Sequence, residues 1–156
     1  MPQHTEFIPP AGGIADCPLC QTAGGEIVWS NALARVVLVD DPAQPGYTRV
    51  VLHAHHAEMT DLPAAQRTAL MALVWRVERV LRDVLQPDKV NLAALGNMVP
   101  HVHWHIIPRW RDDPAFPDAI WAPARREPAS DEARLGALGR YREALAAALD
   151  AGAAPA

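Results

Sequence analysis

Across residues 63–85 the apolar side chains Leu70, Leu73, Val74, Val77, Leu81 and Val84 recur at steps of three and four, with Arg67, Arg76, Arg79, Arg82 and Asp83 mostly between them. That period describes a long amphipathic helix, with Pro63 near its first turn and Pro87 beyond its end. A helix with one apolar stripe must bury it, and the segments on both sides read as strands. Residues 26–30 and 34–40 are β-branched runs separated by Asn31-Ala32, an antiparallel hairpin signal. Residues 48–52 form a third run that enters His53-Ala54-His55-His56, residues 90–95 a fourth and residues 101–108 a fifth. Strands, long helix, strands: this order predicts an α+β fold, an antiparallel sheet of about five strands covered by one long helix.

The ends are less regular. Residues 1–16 read as an irregular arm, and residues 17–25 as a turn around Cys17 and Cys20 that closes in Gly24-Gly25. After Arg109, a stretch with Trp110, Pro114, Pro117, Trp121, Pro123 and Pro128 reads as ordered coil, because a linker would not carry two tryptophans. Ser130 is the expected N-cap of a second helix, with Asp131 and Glu132 in its first turn and Leu135, Leu138, Leu145 and Leu149 as its apolar face. The alanine-rich end after Asp150 is expected to fray.

A length of 156 residues suits one domain with a substantial core, so residues 1–156 are expected to form a single domain. A net charge of -4 supplies no basic face for nucleic acid or a membrane surface, and neither is expected as a partner. No stretch reaches the ~18 apolar residues of a span, and acidic and proline residues stand where a signal peptide would carry its apolar segment. The expected location is therefore cytoplasmic. In a reducing compartment, Cys17-Pro18-Leu19-Cys20 suggests a metal site or redox pair before a disulfide. A thioredoxin-like pair would open a helix directly after a strand, whereas Pro9-Pro10-Ala11-Gly12-Gly13 precedes it here, which favours zinc.

The chemistry concentrates in His101-Val102-His103-Trp104-His105-Ile106-Ile107-Pro108-Arg109. On a strand, three histidines at alternate positions share one face while Val102, Trp104 and Ile106 take the other. Three readings compete: polar positions on an exposed sheet face, a three-histidine catalytic metal site, and nucleophilic catalysis by one imidazole with the others orienting it and binding an anion.

The run resembles the signature of the histidine triad family: histidine, apolar, histidine, apolar, histidine, apolar, apolar. Pro45-Gly46-Tyr47-Thr48 followed by a strand and His55, Asn91 with Gly96-Asn97, and the exit Pro108-Arg109 extend the likeness over about residues 17–110, leaving 111–156 as a C-terminal extension. The resemblance implies a nucleotide hydrolase or transferase acting at the α-phosphate of a phosphoramidate, a dinucleoside polyphosphate or a related nucleotide. By position it implies His103 as nucleophile, forming a nucleotidyl-histidine, with the His101 carbonyl accepting its Nδ1 proton and His105 contacting a phosphate oxygen. It places Asn97 and Asn91 near phosphate, leaving group or ribose, and suggests Asp40 for the ribose hydroxyls, with Asp41 a close rival. Where the phosphoramidase branch has a serine this chain has Met98, which cannot relay a proton.

The resemblance also implies a structural zinc held by Cys17, Cys20, His55 and His101, with His53 and His56 left as surface polar residues. Trp104 is expected to point into the core, and Trp110 and Trp121 to close over the pocket or pack an interface. A homodimer is implied as well. Two other function classes remain open at this point: a nucleotide-binding regulatory protein with little catalysis, and a metallohydrolase using all three triad histidines.

Overall fold

The computed structural model describes residues 6–153; the first five residues of the expected arm and the last three of the alanine-rich tail lie outside the described residues. The elements are α1 (Pro18–Gln21), β1 (Glu26–Ser30), β2 (Ala34–Leu38), β3 (Thr48–Leu52), α2 (Ala64–Leu85), β4 (Lys89–Ala93), β5 (His103–Arg109) and α3 (Glu132–Ala153). A short 3-10 turn at Met59–Asp61 leads into α2. The five strands form one antiparallel sheet in the order β1-β2-β3-β5-β4. The expected α+β architecture is therefore the observed one.

Local chemistry sets these elements. Asn31 closes the β1–β2 hairpin by accepting the N–H groups of Leu33 and Ala34 on its Oδ1, both at 2.9 Å. Between Ile27 and Trp29 the register shifts by one residue, so Ile27 pairs with Val37 and Trp29 with Val36. That bulge turns Ile27 and Trp29 to opposite faces, although two residues apart on a regular strand they would share one. Helix α2 starts after Pro63 and stops at Gln86, which takes a left-handed conformation (φ 48°) and returns its N–H to the Arg82 carbonyl.

The main core lies between the sheet and the two long helices. Leu70, Leu73, Val74, Val77 and Leu81 of α2 pack with Tyr141, Leu145 and Leu149 of α3 against Val36, Val50, Leu52 and Ile106. Trp104 joins this core, as expected, and donates its indole N–H to Met59 Sδ at 3.4 Å. Helix α3 departs from expectation in three details. Asp131, not Ser130, caps it: its Oδ1 accepts the Arg134 N–H at 3.0 Å. Leu135 faces solvent, 51% exposed, while Tyr141 is fully buried with its hydroxyl 2.7 Å from Thr48 Oγ1. The chain after Asp150 stays helical through Ala153, and Asp150 itself accepts the Trp29 indole N–H at 2.9 Å.

The opposite sheet face carries the arm. Cys17, Leu19 and Cys20 pack with Ile27, Val37 and Val51, and partly buried Phe7 and Val99, into a second small core. Arg35 on β2 is fully buried beneath them and donates to the carbonyls of Ala23 (2.8 Å), Leu19 (2.8 Å) and Thr22 (3.1 Å). Its charge thus satisfies the carbonyls around the end of α1 and fastens the arm to the sheet. Burial lowers Arg35 to about 10, which leaves it protonated at neutral pH.

Candidate active site and metal centre

Strand β5 runs between β3 and β4, and its register sets His103 opposite Val51 and His105 opposite both Arg49 and Ala93. His101 lies in a bend just before the strand, so the expected three-histidine strand begins only at His103. All three imidazoles are buried, at 0%, 9% and 4% exposure for His101, His103 and His105. The rings of His103 and His105 meet edge to face with centroids 4.8 Å apart, closer than the ~7 Å of ideal alternate strand positions.

Each ring has its own partner. His101 lies 2.7 Å from the Leu52 carbonyl through Nε2; because a carbonyl only accepts, Nε2 carries the proton and Nδ1 is left as a lone pair. His103 Nδ1 is 2.6 Å from the His101 carbonyl by the same logic, so its Nε2 is the free lone pair. Burial lowers both from the ordinary histidine range, with Arg49 adding to the effect on His103. His105 is pressed to about 3 by burial first, then by His103 and Arg49. His103 and His105 are therefore neutral imidazoles at physiological pH.

The free nitrogen of His101 faces Cys17 Sγ at 3.4 Å and Cys20 Sγ at 3.5 Å, and Cys20 Sγ is 3.4 Å from His55 Nδ1. One ligand atom from each of Cys17, Cys20, His55 and His101 lies within 4.8 Å of the others. Zn–S near 2.3 Å and Zn–N near 2.0 Å in a tetrahedron imply S···N edges of roughly 3.5 Å, so this donor set fits a closed zinc site. Both His101 nitrogens are thereby engaged, by the Leu52 carbonyl and the cysteines, and among the described residues the three triad histidines form no metal-ligand group of their own. Both cysteines are unpaired and buried, and burial raises the Cys20 thiol above its ordinary value.

His53 and His56 stay outside this cluster. His53 sits 3.1 Å from Ser30 Oγ and 3.0 Å from the Asn31 carbonyl, and His56 contributes its backbone carbonyl to Val102 N–H. Asn91 shares the triad face and accepts an Arg109 N–H on Oδ1 at 2.7 Å. Asn97 is exposed on the loop after Gly96 (φ 71°). A hollow of about 110 Å³ lined by Met59, Gly96, His101 and His103 opens beside it. Asp40 is exposed and lines a groove of about 650 Å³ with Gly46, Leu138 and Arg142, whereas the Asp41 carboxylate holds the Ala43 N–H at 2.9 Å.

Around the triad, Arg49 was not singled out in the sequence, and Tyr47 and Arg109 were quoted for the resemblance without a role. Tyr47 bonds its hydroxyl to His105 Nδ1, and Arg49 donates to that hydroxyl at 3.3 Å. A charged residue inside a strand reads as a solvated position, so Arg49 carried no signal beyond its alternation with Tyr47 and Val51. Trp121 sets its ring edge-on to His105 with centroids 5.1 Å apart, which answers to the expectation that a coil tryptophan closes over the pocket. Trp110 instead is buried under Arg134, 4.6 Å from its ring centroid. Arg109 holds the coil in place: it forms a bidentate pair with Asp113 at 2.7 and 3.0 Å and donates to the Asp118 carbonyl at 2.8 Å. A larger cavity of about 790 Å³ lies near the β1–β2 hairpin, lined by Phe7, Trp29, Arg35 and His53, and includes no triad residue.

This arrangement has relatives. A model of the HIT domain matches residues 22–112, more than half of the chain. An AP-4-A phosphorylase of Mycobacterium tuberculosis is 30% identical over 113 residues, covering 69% of this chain and 58% of the relative. A bis(5'-nucleosyl)-tetraphosphatase [asymmetrical] of Schizosaccharomyces pombe is 27% identical over 104 residues, covering 64% of this chain and 57% of the relative. The chain thus spans under two thirds of the length of these curated relatives. Among solved structures, a histidine triad protein of Bradyrhizobium japonicum superposes with a TM-score of 0.64 at 31% identity, over 79% of this chain and 89% of that one. A Zn-bound histidine triad family protein of Mycobacterium smegmatis shares the fold, with a TM-score of 0.59 at 24% identity over 88% and 97%. With the alternating histidines, the carbonyl-held imidazole and the domain match in agreement, the chain belongs to the HIT, or histidine triad, family.

Proposed function

We propose that the protein is a nucleotide hydrolase or transferase acting at an α-phosphate through a nucleotidyl-histidine on His103. The observation that carries this reading is the 2.6 Å contact of His103 Nδ1 with the His101 carbonyl, which fixes the tautomer and leaves a neutral Nε2 lone pair for phosphorus. In the first step Nε2 bonds to the α-phosphorus and the bond to the leaving group breaks with its electron pair on the departing oxygen or nitrogen. In the second, water attacks phosphorus, the N–P bond breaks, and His103 returns to the neutral imidazole while the water proton passes to solvent. His105 serves the nonbridging oxygens, where charge builds in the transition state.

Asp40, which is exposed, is the proposed acceptor for the ribose hydroxyls, with Asp41, whose Oδ1 holds the Ala43 N–H, as its rival. Asn91 and Asn97 are the proposed polar contacts on the phosphate and leaving-group side. Cys17, Cys20, His55 and His101 would hold a structural zinc, whose chemistry is to pin the arm and the His101 backbone. The relatives named for cleaving dinucleoside polyphosphates support a phosphoanhydride substrate. A homodimer belongs to this reading, supported by Trp75, 58% exposed on α2.

The test is to trap the intermediate. Rapid quenching with α-phosphate-labelled dinucleoside tetraphosphate is expected to leave acid-labile label on His103. His103→Ala is expected to lose label and at least ~10³-fold of turnover while still binding AMP. Full turnover in that variant sinks the nucleophile assignment.

A further inference from the structure

Arg49, Tyr47 and His105 form a hydrogen-bonded row on the triad face that none of the roles above uses. We propose that Tyr47 and Arg49 are positioning residues that lock His105 in the tautomer with its proton on Nε2, so that it always presents a donor to a phosphate oxygen. The proposal rests on the reading of His105 as the phosphate contact.

The direction of the row follows from donor inventory. A guanidinium only donates, so the Arg49 Nε–H must point at the Tyr47 oxygen. Tyr47 is 2% exposed, and burial raises its phenol above the ordinary range, so the hydroxyl keeps its hydrogen. Among the described residues the only other partner of that hydroxyl is His105 Nδ1. With Nδ1–H aimed at the phenol instead, two donors would converge on one oxygen and the phenolic hydrogen would be buried without an acceptor. The arrangement that satisfies every group has the tyrosine donating to Nδ1. The proton of the neutral ring is then on Nε2, the nitrogen turned away from Tyr47.

Arg49 is itself held for this task. Its Nη1 donates to the Gly24 carbonyl at 3.3 Å, and its guanidinium lies 5.2 Å from the Tyr47 ring centroid. Gly24 turns the chain at φ 81°, a conformation that favours glycine. Among the described residues Arg49 has no acidic partner, so its charge stays on the triad face, where it also opposes a second proton on His105.

The experiment is a two-bond proton–nitrogen NMR correlation of the histidine side chains on the full zinc-loaded chain, with turnover of a dinucleoside tetraphosphate measured alongside. In the wild type, His105 is expected to show the pure Nε2–H pattern. Tyr47→Phe keeps the ring but removes the donor, and is expected to average the two His105 nitrogens and lower kcat ~10-fold with little change in KM. Arg49→Gln leaves the tyrosine in place and is expected to shift the same Nδ1 resonance less; it carries the test should Tyr47→Phe not fold. An Nδ1–H pattern in the wild type, or an unchanged His105 spectrum in the folded variants, overturns the lock. A released tautomer with unchanged kcat leaves the lock standing and overturns the reading of His105 as the phosphate contact.

Discussion

His101 serves His103 with its backbone and the two cysteines with its side chain: its carbonyl lies 2.6 Å from His103 Nδ1 while its ring nitrogen lies 3.4 Å from Cys17 Sγ. Through this one residue, an arm that carries none of the proposed substrate contacts is tied to the orientation of the proposed nucleophile. A Cys17→Ser variant is therefore expected to lose tightly held zinc, melt at lower temperature and turn over about 10-fold more slowly, in line with the cost of removing groups that orient a reacting side chain. Metal content, a thermal melt and steady-state kinetics on the same preparation check it. Wild-type turnover in a zinc-free variant would show that the arm and the catalytic strand are independent.

A buried ion pair anchors the coil after β5. Arg109 and Asp113 are each 2% exposed in their side chains, and Asp113 also receives the N–H groups of Phe116 (2.8 Å) and Ala115 (3.2 Å). Burial works against the Asp113 carboxylate, but Arg109 and those two N–H groups outweigh it and hold it below its ordinary value. Removing the acid would strand a buried guanidinium, so Asp113→Ala is expected to cost about 3–5 kcal/mol. Urea unfolding gives that number. The same variant frees the segment that brings Trp121 to His105, so KM is expected to rise in the folded fraction; an unchanged KM would show that Trp121 takes no part in binding.

The depressed His105 makes a pH prediction with a definite sign. Its folded value of about 3 lies below the ordinary 6.5, so the unfolded chain takes up a proton that the folded one refuses. The stability associated with a neutral His105 is complete above pH 6.5 and is lost as pH falls from there toward 3. The slope is at most about 1.4 kcal/mol per pH unit. The comparison that isolates it is urea unfolding of the wild type and His105→Gln from pH 7 to pH 4, where the wild type is expected to weaken more steeply. Parallel curves would mean that His105 titrates normally.

What could be read beforehand follows from which interactions are local. The three- and four-residue period of α2 and the alternation of β1, β2 and β3 are written in adjacent residues, and those elements appeared within a residue or two of expectation. The motif made it readable that His101, His103 and His105 have different partners, although not the bend that removes His101 from the strand. Tyr141 was missed because its burial depends on Thr48, a partner 93 residues away. Leu135 misled because one more leucine on a helical period looks like core until Asp131 and the Arg134 pairs with Asp112 and Asp131 fix how the helix turns. The link of Arg49 and Tyr47 to His105 was invisible for a similar reason. Arg49 stands opposite His105 in a neighbouring strand, Tyr47 reaches the same ring from just before that strand, and cross-strand register is not written in either strand alone.

Met98 is expected to limit the leaving groups that the proposed site can expel. It is 96% exposed on the loop before His101, at the position where the phosphoramidase branch of the family carries serine. A phosphate leaving group departs as a stable anion and needs no proton, whereas an amine must be protonated as the P–N bond breaks, and a thioether has none to give. The protein is therefore expected to cleave a dinucleoside polyphosphate faster than an adenosine phosphoramidate. Met98→Ser is expected to raise the phosphoramidate rate by about 100-fold, the low end of what one positioned proton donor contributes, and to leave the anhydride rate near wild type. Because the side chain is in solvent, stability should move by less than about 0.5 kcal/mol, so the kinetic change is not masked by unfolding. Equal gains on both substrates would place the effect in loop geometry, and no gain on the phosphoramidate would show that the leaving-group proton comes from elsewhere.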